Sequence, residues 1–65
     1  MKPKKLKRFI ACSEGRAIIG AIKLIEASVW FEFTPLPGDE YELKIKNEAH
    51  PVNLLRGTGL LQEIE

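Results

Sequence analysis

The sequence predicts a small α+β domain in the order β-α-β-β, with one amphipathic helix packed on one face of a three-stranded sheet. Three observations predict this class: an apolar run, a following segment whose apolar residues have helical spacing, and two alternating segments around a turn. The chain has 65 residues, of which 45% are hydrophobic and 29% are charged. A chain of this size forms one domain, near the lower limit for folding around its own core.

The first strand is predicted at residues 6–12. Phe9, Ile10 and Ala11 form a continuous apolar run, as in a strand that is buried on both faces. Residues 1–5, where proline stands among lysines, are expected to form a flexible basic arm, and residues 6–65 the single folded domain. Ser13 comes directly after the strand and is a good N-cap for the segment that follows.

That segment is predicted to be an amphipathic helix lying on the sheet. Its apolar residues fall on one broad face when they are projected at about 100° per residue. These residues are Ala17, Ile18, Ile19, Ala21, Ile22, Leu24 and Ile25. Gly20 falls on the opposite, polar face, so its small size is not expected to serve packing against the core of this domain.

A β-hairpin is predicted over residues 28–47, because two segments of period-two alternation flank a turn at 35–39 that contains two prolines and a glycine. The residues expected to face the helix are Val29, Phe31, Phe33, Tyr41, Leu43 and Ile45. Two registers are open. Pairing Phe33 with Tyr41 gives the shorter loop but sets Glu32 against Glu42, whereas a slip by two residues sets Glu32 against Lys44 and lengthens the loop. Since opposed like charges are destabilising, the slipped register is favoured.

The C-terminal segment is predicted as a short helical turn or strand. Pro51 suits the first position of a helix over 52–56, which Gly57 ends, and the apolar residues of 60–64 then dock on the core. The order of the strands stays open. The first strand lies parallel beside the second if they are neighbours, or antiparallel beside the third.

The sequence contains no recognisable catalytic, metal or cofactor site, and we predict that the protein is not an enzyme. Cys12 is the only cysteine, so an intramolecular disulfide is excluded, and Cys12 with His50 is too small a set for a closed zinc site. At the end of an apolar strand, Cys12 is expected to be buried rather than to act as a nucleophile. No small-molecule substrate is indicated.

The chain is expected to be soluble and cytoplasmic. A single cysteine suits a reducing compartment. The longest hydrophobic region, residues 17–33, is interrupted by Lys23, Glu26 and Glu32, so it falls short of a transmembrane span. No membrane association is therefore predicted.

A basic N-terminal segment suggests one functional hypothesis. It carries five of the ten positive charges in eight residues, whereas residues 9–65 hold five positive charges against nine acids. The basic residues are Lys2, Lys4, Lys5, Lys7 and Arg8. They would bind phosphates without reading sequence, as in a nucleic-acid-binding accessory or regulatory protein. The acidic remainder argues against this alternative, because nucleic-acid-binding domains are usually basic overall.

Trp30 suggests the favoured hypothesis, a non-enzymatic protein-interaction module. Alternation places this tryptophan on the polar side of its strand, away from the predicted core. Tryptophan is over-represented at interfaces. The outer face of the hairpin would then bind another protein or a second copy of the chain, as a homodimer, through Trp30, Glu32, Leu36, Lys44 and Lys46.

Overall fold

Four strands and two helices are formed in the computed structural model, which describes residues 5–64. They are β1 (Leu6–Ala11), α1 (Glu14–Glu26), β2 (Phe31–Leu36), β3 (Glu40–Lys46), α2 (Ala49–Arg56) and β4 (Leu61–Ile64). The α+β class and the β-α-β-β order are confirmed, and the C-terminal segment, predicted as a short helical turn or strand, forms both, so that the sheet has four strands instead of three. The complete order is that of the split β-α-β, or ferredoxin-like, motif. Residues 1–4 of the predicted arm lie outside the described residues.

The sheet has the order β2-β3-β1-β4, and each pair of neighbouring strands is antiparallel. β1 lies in the interior of the sheet, where Phe9 is opposite Leu43 of β3 on one side and Glu63 of β4 on the other. Of the two strand orders that the sequence left open, the structure adopts the one with the first strand beside the third.

The hairpin has the slipped register, in which Phe33 lies opposite Leu43 and Glu32 opposite Lys44. The prediction based on opposed charges is therefore confirmed. Pairing continues to Leu36 and Glu40, so the turn has only three residues, 37–39, and the expectation that this register lengthens the loop was wrong. Gly38 and Asp39 adopt positive φ angles of 76° and 61° there. Pro35 lies inside β2, which is an edge strand and tolerates a residue without an N–H donor.

Helix α1 begins after Ser13, whose Oγ accepts a hydrogen bond of 3.4 Å from the Arg16 backbone N–H. The predicted N-cap is thus confirmed. The predicted buried face of the helix was partly wrong, because the buried residues are Ala17, Gly20 and Leu24. Four isoleucines that were expected to cover the sheet are exposed instead, by 43–62%: Ile18, Ile19, Ile22 and Ile25.

Gly20 explains this rotation of the helix. A Cβ atom at position 20 would lie 2.9 Å from Leu43 Cδ1 and 3.0 Å from Leu61 Cδ1. The glycine therefore faces the core, where its missing side chain lets α1 approach the sheet closely, and the prediction that it serves no packing role was wrong. With Gly20 turned inward, the isoleucines to either side of it are turned outward.

The core fills the space between the two helices and one face of the sheet. Its buried residues are Phe9, Leu24, Leu43, Ile45, Val52 and Leu55, with Val29, Phe31, Leu54 and Leu61 partly buried against them. The predicted inward direction of the hairpin residues is confirmed for Leu43 and Ile45, which are fully buried, and for Val29 and Phe31, which pack against the core. Phe33, by contrast, is 41% exposed, because it lies on edge strand β2 beyond the cover of the helices.

The C-terminal segment docks on the core as a helix and a strand. α2 starts after Glu48, three residues earlier than predicted, so that Pro51 occupies the third position of its first turn, where an N–H is not needed. Gly57 caps the helix as expected. β4 then pairs with β1, and Glu63 accepts two hydrogen bonds from Arg56, of 2.7 and 2.9 Å.

Candidate interaction surface

Three of the exposed isoleucines lie on the flank and outer side of α1 nearest β2. Ile18, Ile22 and Ile25 follow one another at i, i+4 and i+7, so they form a continuous stripe along the helix. Their exposed fractions are 44%, 47% and 62%. Together with Phe33 on β2, we call this surface the α1–β2 patch. Ile19 is equally exposed but lies on the opposite flank, about 100° away from Ile18 around the helix.

A chain of side-chain contacts links β2 to the start of this stripe. The rings of Phe33 and Tyr41 lie 5.4 Å apart between centroids, inclined by 43°. Tyr41 Oη donates a hydrogen bond of 3.4 Å to Glu14 Oε2, in the first turn of α1. Desolvation, followed by the charge of Glu14, raises the pKa of the Tyr41 hydroxyl, which therefore stays a donor. Glu14 lies one turn before Ile18, so these contacts connect Phe33 of β2, through Tyr41, to the start of the isoleucine stripe.

The outer face of the sheet, opposite the helices, carries a charged layer of ion pairs across β1 and β3. Glu42 lies in the interior strand β3 and its side chain is only 6% exposed. Arg8 Nε donates to Glu42 Oε2 at 2.7 Å, and Lys44 Nζ lies 3.5 Å from Glu42 Oε1. Buried carboxylates are tolerated when they are paired and hydrogen-bonded in this way. Glu32 and Lys44 of the predicted binding surface belong to this charged layer, directly opposite each other.

Trp30 is half-buried beside the start of β2. It lines a cavity of about 190 Å³ together with Ser28, Val29, Lys46, Glu48, His50 and Pro51. Pockets for small ligands usually have roughly 300–1,000 Å³, so this cavity is too small to support such a site. The structure therefore brings Trp30 and Lys46 together, whereas Leu36 lies at the opposite end of β2.

The basic N-terminal residues are partly engaged in ion pairs. Lys7 Nζ lies 3.5 Å from Glu63 Oε1, and Arg8 is bound to Glu42, whereas Lys5 is exposed. Lys2 and Lys4 lie outside the described residues. Sheets that bind single-stranded RNA stack bases on aromatic side chains. The outward positions of β1 and β3 carry leucine, isoleucine and charged residues instead. Nucleic-acid binding stays a prediction that no contact in residues 5–64 favours.

Cys12 is exposed, so the prediction that it is buried was wrong. Cys12 directly follows Ala11, the last residue of β1, which is buried in the core. Successive side chains along a strand point to opposite faces, so the side chain of Cys12 points away from the core. Cys12 and His50 lie near opposite ends of the sheet, because Ala11 pairs with Tyr41 whereas Leu6 pairs with Lys46. A six-residue strand spans about 20 Å, too far for a catalytic hydrogen bond.

Within residues 5–64 the structure has no group of three or more histidine, cysteine, aspartate or glutamate side chains placed to hold a metal ion. In the same part of the chain, neither helix has the length and apolar character needed to span a membrane. Comparison with known proteins gave no match: no family model, no curated protein and no solved structure is significantly similar to the chain.

Proposed function

We propose that this domain is a non-enzymatic protein-interaction module that binds its partner through the α1–β2 patch. The observation that carries the proposal is the simultaneous exposure of Ile18, Ile22, Ile25 and Phe33 by 41–62%. Single exposed apolar residues are ordinary, but a stripe of three isoleucines beside an exposed phenylalanine makes an apolar patch of the size that is often functional. The single cysteine favours a reducing compartment such as the cytoplasm.

The small size of the domain strengthens this argument. A 65-residue chain has few large apolar residues to stabilise its fold, and a core of this size supplies only about 3–5 kcal/mol. Four large apolar side chains on one side are left half outside that core. Covering them recovers apolar burial at about 25 cal/mol per Å², which favours association with a partner.

The surface around Trp30 stays a second candidate for the same function. Trp30 would contribute to an interface at the end of the hairpin opposite the turn, where Lys46 and His50 line the same cavity. The α1–β2 patch is favoured, because Trp30 is half-buried within its own domain and its predicted companions Glu32 and Lys44 lie in the charged layer of the sheet. Less apolar area is therefore open for binding around Trp30.

Two adjacent isoleucines give a matched test of the proposal. Ile18 belongs to the patch and Ile19 does not, yet they are exposed by 44% and 43% in the same helix. A tagged chain would be used for affinity capture from cells of its own organism, as wild type, Ile18→Lys and Ile19→Lys. We expect a specific partner, or an untagged second copy, to be lost with Ile18→Lys and kept with Ile19→Lys.

Circular dichroism and thermal melting of both variants establish that they fold equally well. Trp30→Ala, measured in the same way, tests the second candidate surface. Capture that is unchanged in Ile18→Lys would refute binding through the α1–β2 patch. Capture that is lost only in Trp30→Ala would show that the interface lies around Trp30, at the end of the hairpin opposite the turn.

A further inference from the structure

We propose that the partner of the α1–β2 patch is a second copy of this chain, joined by antiparallel pairing of β2 with β2 of that copy. This inference rests on the proposed function and names the occupant of its surface. It starts from the position of β2 at one end of the sheet, where no strand among residues 5–64 pairs with its outer side. An open strand edge is a ready template for pairing with another chain.

The backbone groups available at this edge follow from Pro35. Residues of an antiparallel strand alternate between positions that hydrogen-bond to one neighbour and positions that face the other side. Proline is accommodated in an edge strand with its nitrogen turned away from the existing ladder. The same alternation turns the N–H and C=O groups of Phe31 and Phe33 to the open edge. β2 thus offers donors and acceptors near its centre.

The side chains of β2 favour a twofold dimer centred on Phe33 over one centred on Glu32. Centring the pair on Phe33 sets the two Phe33 residues opposite each other, Glu32 opposite Thr34, and Phe31 opposite Pro35. This register makes about four interchain hydrogen bonds, since only proline lacks a donor. Centring on Glu32 instead would oppose two carboxylates, which is destabilising. The strand is therefore self-complementary in the Phe33 register, with no like charges facing each other.

The same pairing brings the two isoleucine stripes together. The patch lies on the helix side of the sheet at the β2 edge, so a twofold axis through Phe33 places the α1 helices of both copies over one continuous sheet. The exposed area of its four residues is on the order of 350 Å² per chain, and two patches approach half of a standard interface of about 1,600 Å². Strand pairing adds to this area, as expected for a reversible dimer.

Sedimentation equilibrium and light scattering of the full chain, from micromolar to millimolar concentration, test the inference. We expect a reversible dimer in the wild type. Phe33→Lys would place two ammonium groups opposite each other and weaken the dimer by more than about tenfold. Ile18→Lys would weaken the dimer because it removes an apolar contact between the two copies. Ile19→Lys, the matched control, would leave the dissociation constant unchanged.

Disulfide trapping tests the register. In a Cys12→Ser background, Phe33→Cys sets two thiols on the twofold axis, where the Cα–Cα separation of about 5.5 Å permits a disulfide. We expect oxidation to give a covalent dimer with this variant and not with Ile19→Cys in the same background. Equal trapping of both variants would overturn the proposed pairing.

The two proposals fail in different ways. A wild type that stays monomeric up to millimolar concentration overturns the second-copy inference. If Ile18→Lys then still abolishes capture of another protein, the proposed function is supported, and that other protein binds the α1–β2 patch in place of a second copy. If the chain is dimeric but insensitive to both Phe33→Lys and Ile18→Lys, the dimer uses another surface and the pairing of β2 is wrong.

Discussion

Gly20 of α1 and Leu43 of β3 are in such close contact that the space between them excludes a methyl group. A Cβ atom at position 20 would lie 2.9 Å from Leu43 Cδ1, closer than carbon atoms pack in folded proteins. Leu43 is fully buried in the interior of the sheet, so its side chain has little freedom to move away. The contact therefore fixes both the height of the helix above the sheet and its rotation.

Substitution of Gly20 is expected to destabilise the fold even though glycine is a poor helix former. Alanine gains about 1 kcal/mol in helix propensity, but overpacking costs about 1–3 kcal/mol, so Gly20→Ala should lose about 1 kcal/mol and Gly20→Val more. Urea unfolding, monitored by the fluorescence of Trp30, measures the change in the free energy of unfolding. Gly15→Ala is the control, since a Cβ there has no neighbour within 4 Å. If both alanine variants were stabilised alike, the close contact would be absent.

Arg8 and Glu42 are expected to be energetically coupled. The Glu42 side chain is 6% exposed and accepts a hydrogen bond of 2.7 Å from Arg8, so Arg8→Met leaves a buried carboxylate beside Lys44, whose Nζ is 3.5 Å away. We expect a loss of about 1–3 kcal/mol in the free energy of unfolding, which shrinks when Glu42→Gln is already present. The same cycle with Lys44→Met should give a smaller coupling. Additive effects of Arg8→Met and Glu42→Gln would contradict the ion pair.

Glu63 is expected to make stability depend on pH in acid. Its hydrogen bonds from Arg56, and the charges of Arg56 and Lys7, lower the pKa of the Glu63 carboxyl to about 2 from the ordinary 4.5. A lowered pKa in the folded state means that the unfolded chain binds the proton more tightly. The ionised Glu63 carboxylate therefore stabilises the folded state, fully above pH 4.5 and progressively less as the pH falls towards 2.

Melting temperatures at a series of pH values between 6 and about 2 measure this effect. The Glu63→Gln variant should lack the part of the decline that arises between pH 4.5 and 2. Glu26→Gln, which removes an exposed acid from α1, is the control and should retain it. A Glu63→Gln profile parallel to that of the wild type would mean that the pair with Arg56 is not formed in solution.

Cys12 is expected to react as an accessible thiol. Its side chain is exposed after the end of β1, so a disulfide reagent should modify the native protein nearly as fast as the unfolded protein. Absorbance of the released thiolate follows the reaction. Slow modification in buffer and fast modification in urea would show instead that the side chain is covered in the native state.

The hairpin was predictable because its signals are local. Alternation from Val29 to Phe33, the proline–glycine turn and the opposition of Glu32 and Lys44 all lie within 20 residues of sequence. The opposed charges of Glu32 and Lys44 favour the register that the structure adopts. The second helix and the fourth strand were harder to predict, since β4 has only four residues and two of them, Gln62 and Glu63, are polar.

The rotation of α1 could not be predicted from the helix itself. Apolar residues surround most of its circumference, so periodicity alone did not distinguish the face with Gly20 from the face with Ile18 and Ile22. Contacts with Leu43 and Leu61, which are distant in the sequence, make the distinction. The spacing of Ala17, Gly20 and Leu24 was the available signal, but small residues contribute little to a hydrophobic projection. The α1–β2 patch was missed for the same reason.

The shortness of β4 has a consequence for how far association of this chain extends. Pairing through β2 occupies the β2 edge of both copies and leaves β4 as the edge strand at each end of the joined sheet. β4 offers four residues, and Glu63 among them is held by Arg56 and Lys7. A short, charged terminal strand is a poor template for adding a third chain. Assembly by this route should therefore stop at two chains and not grow into a filament.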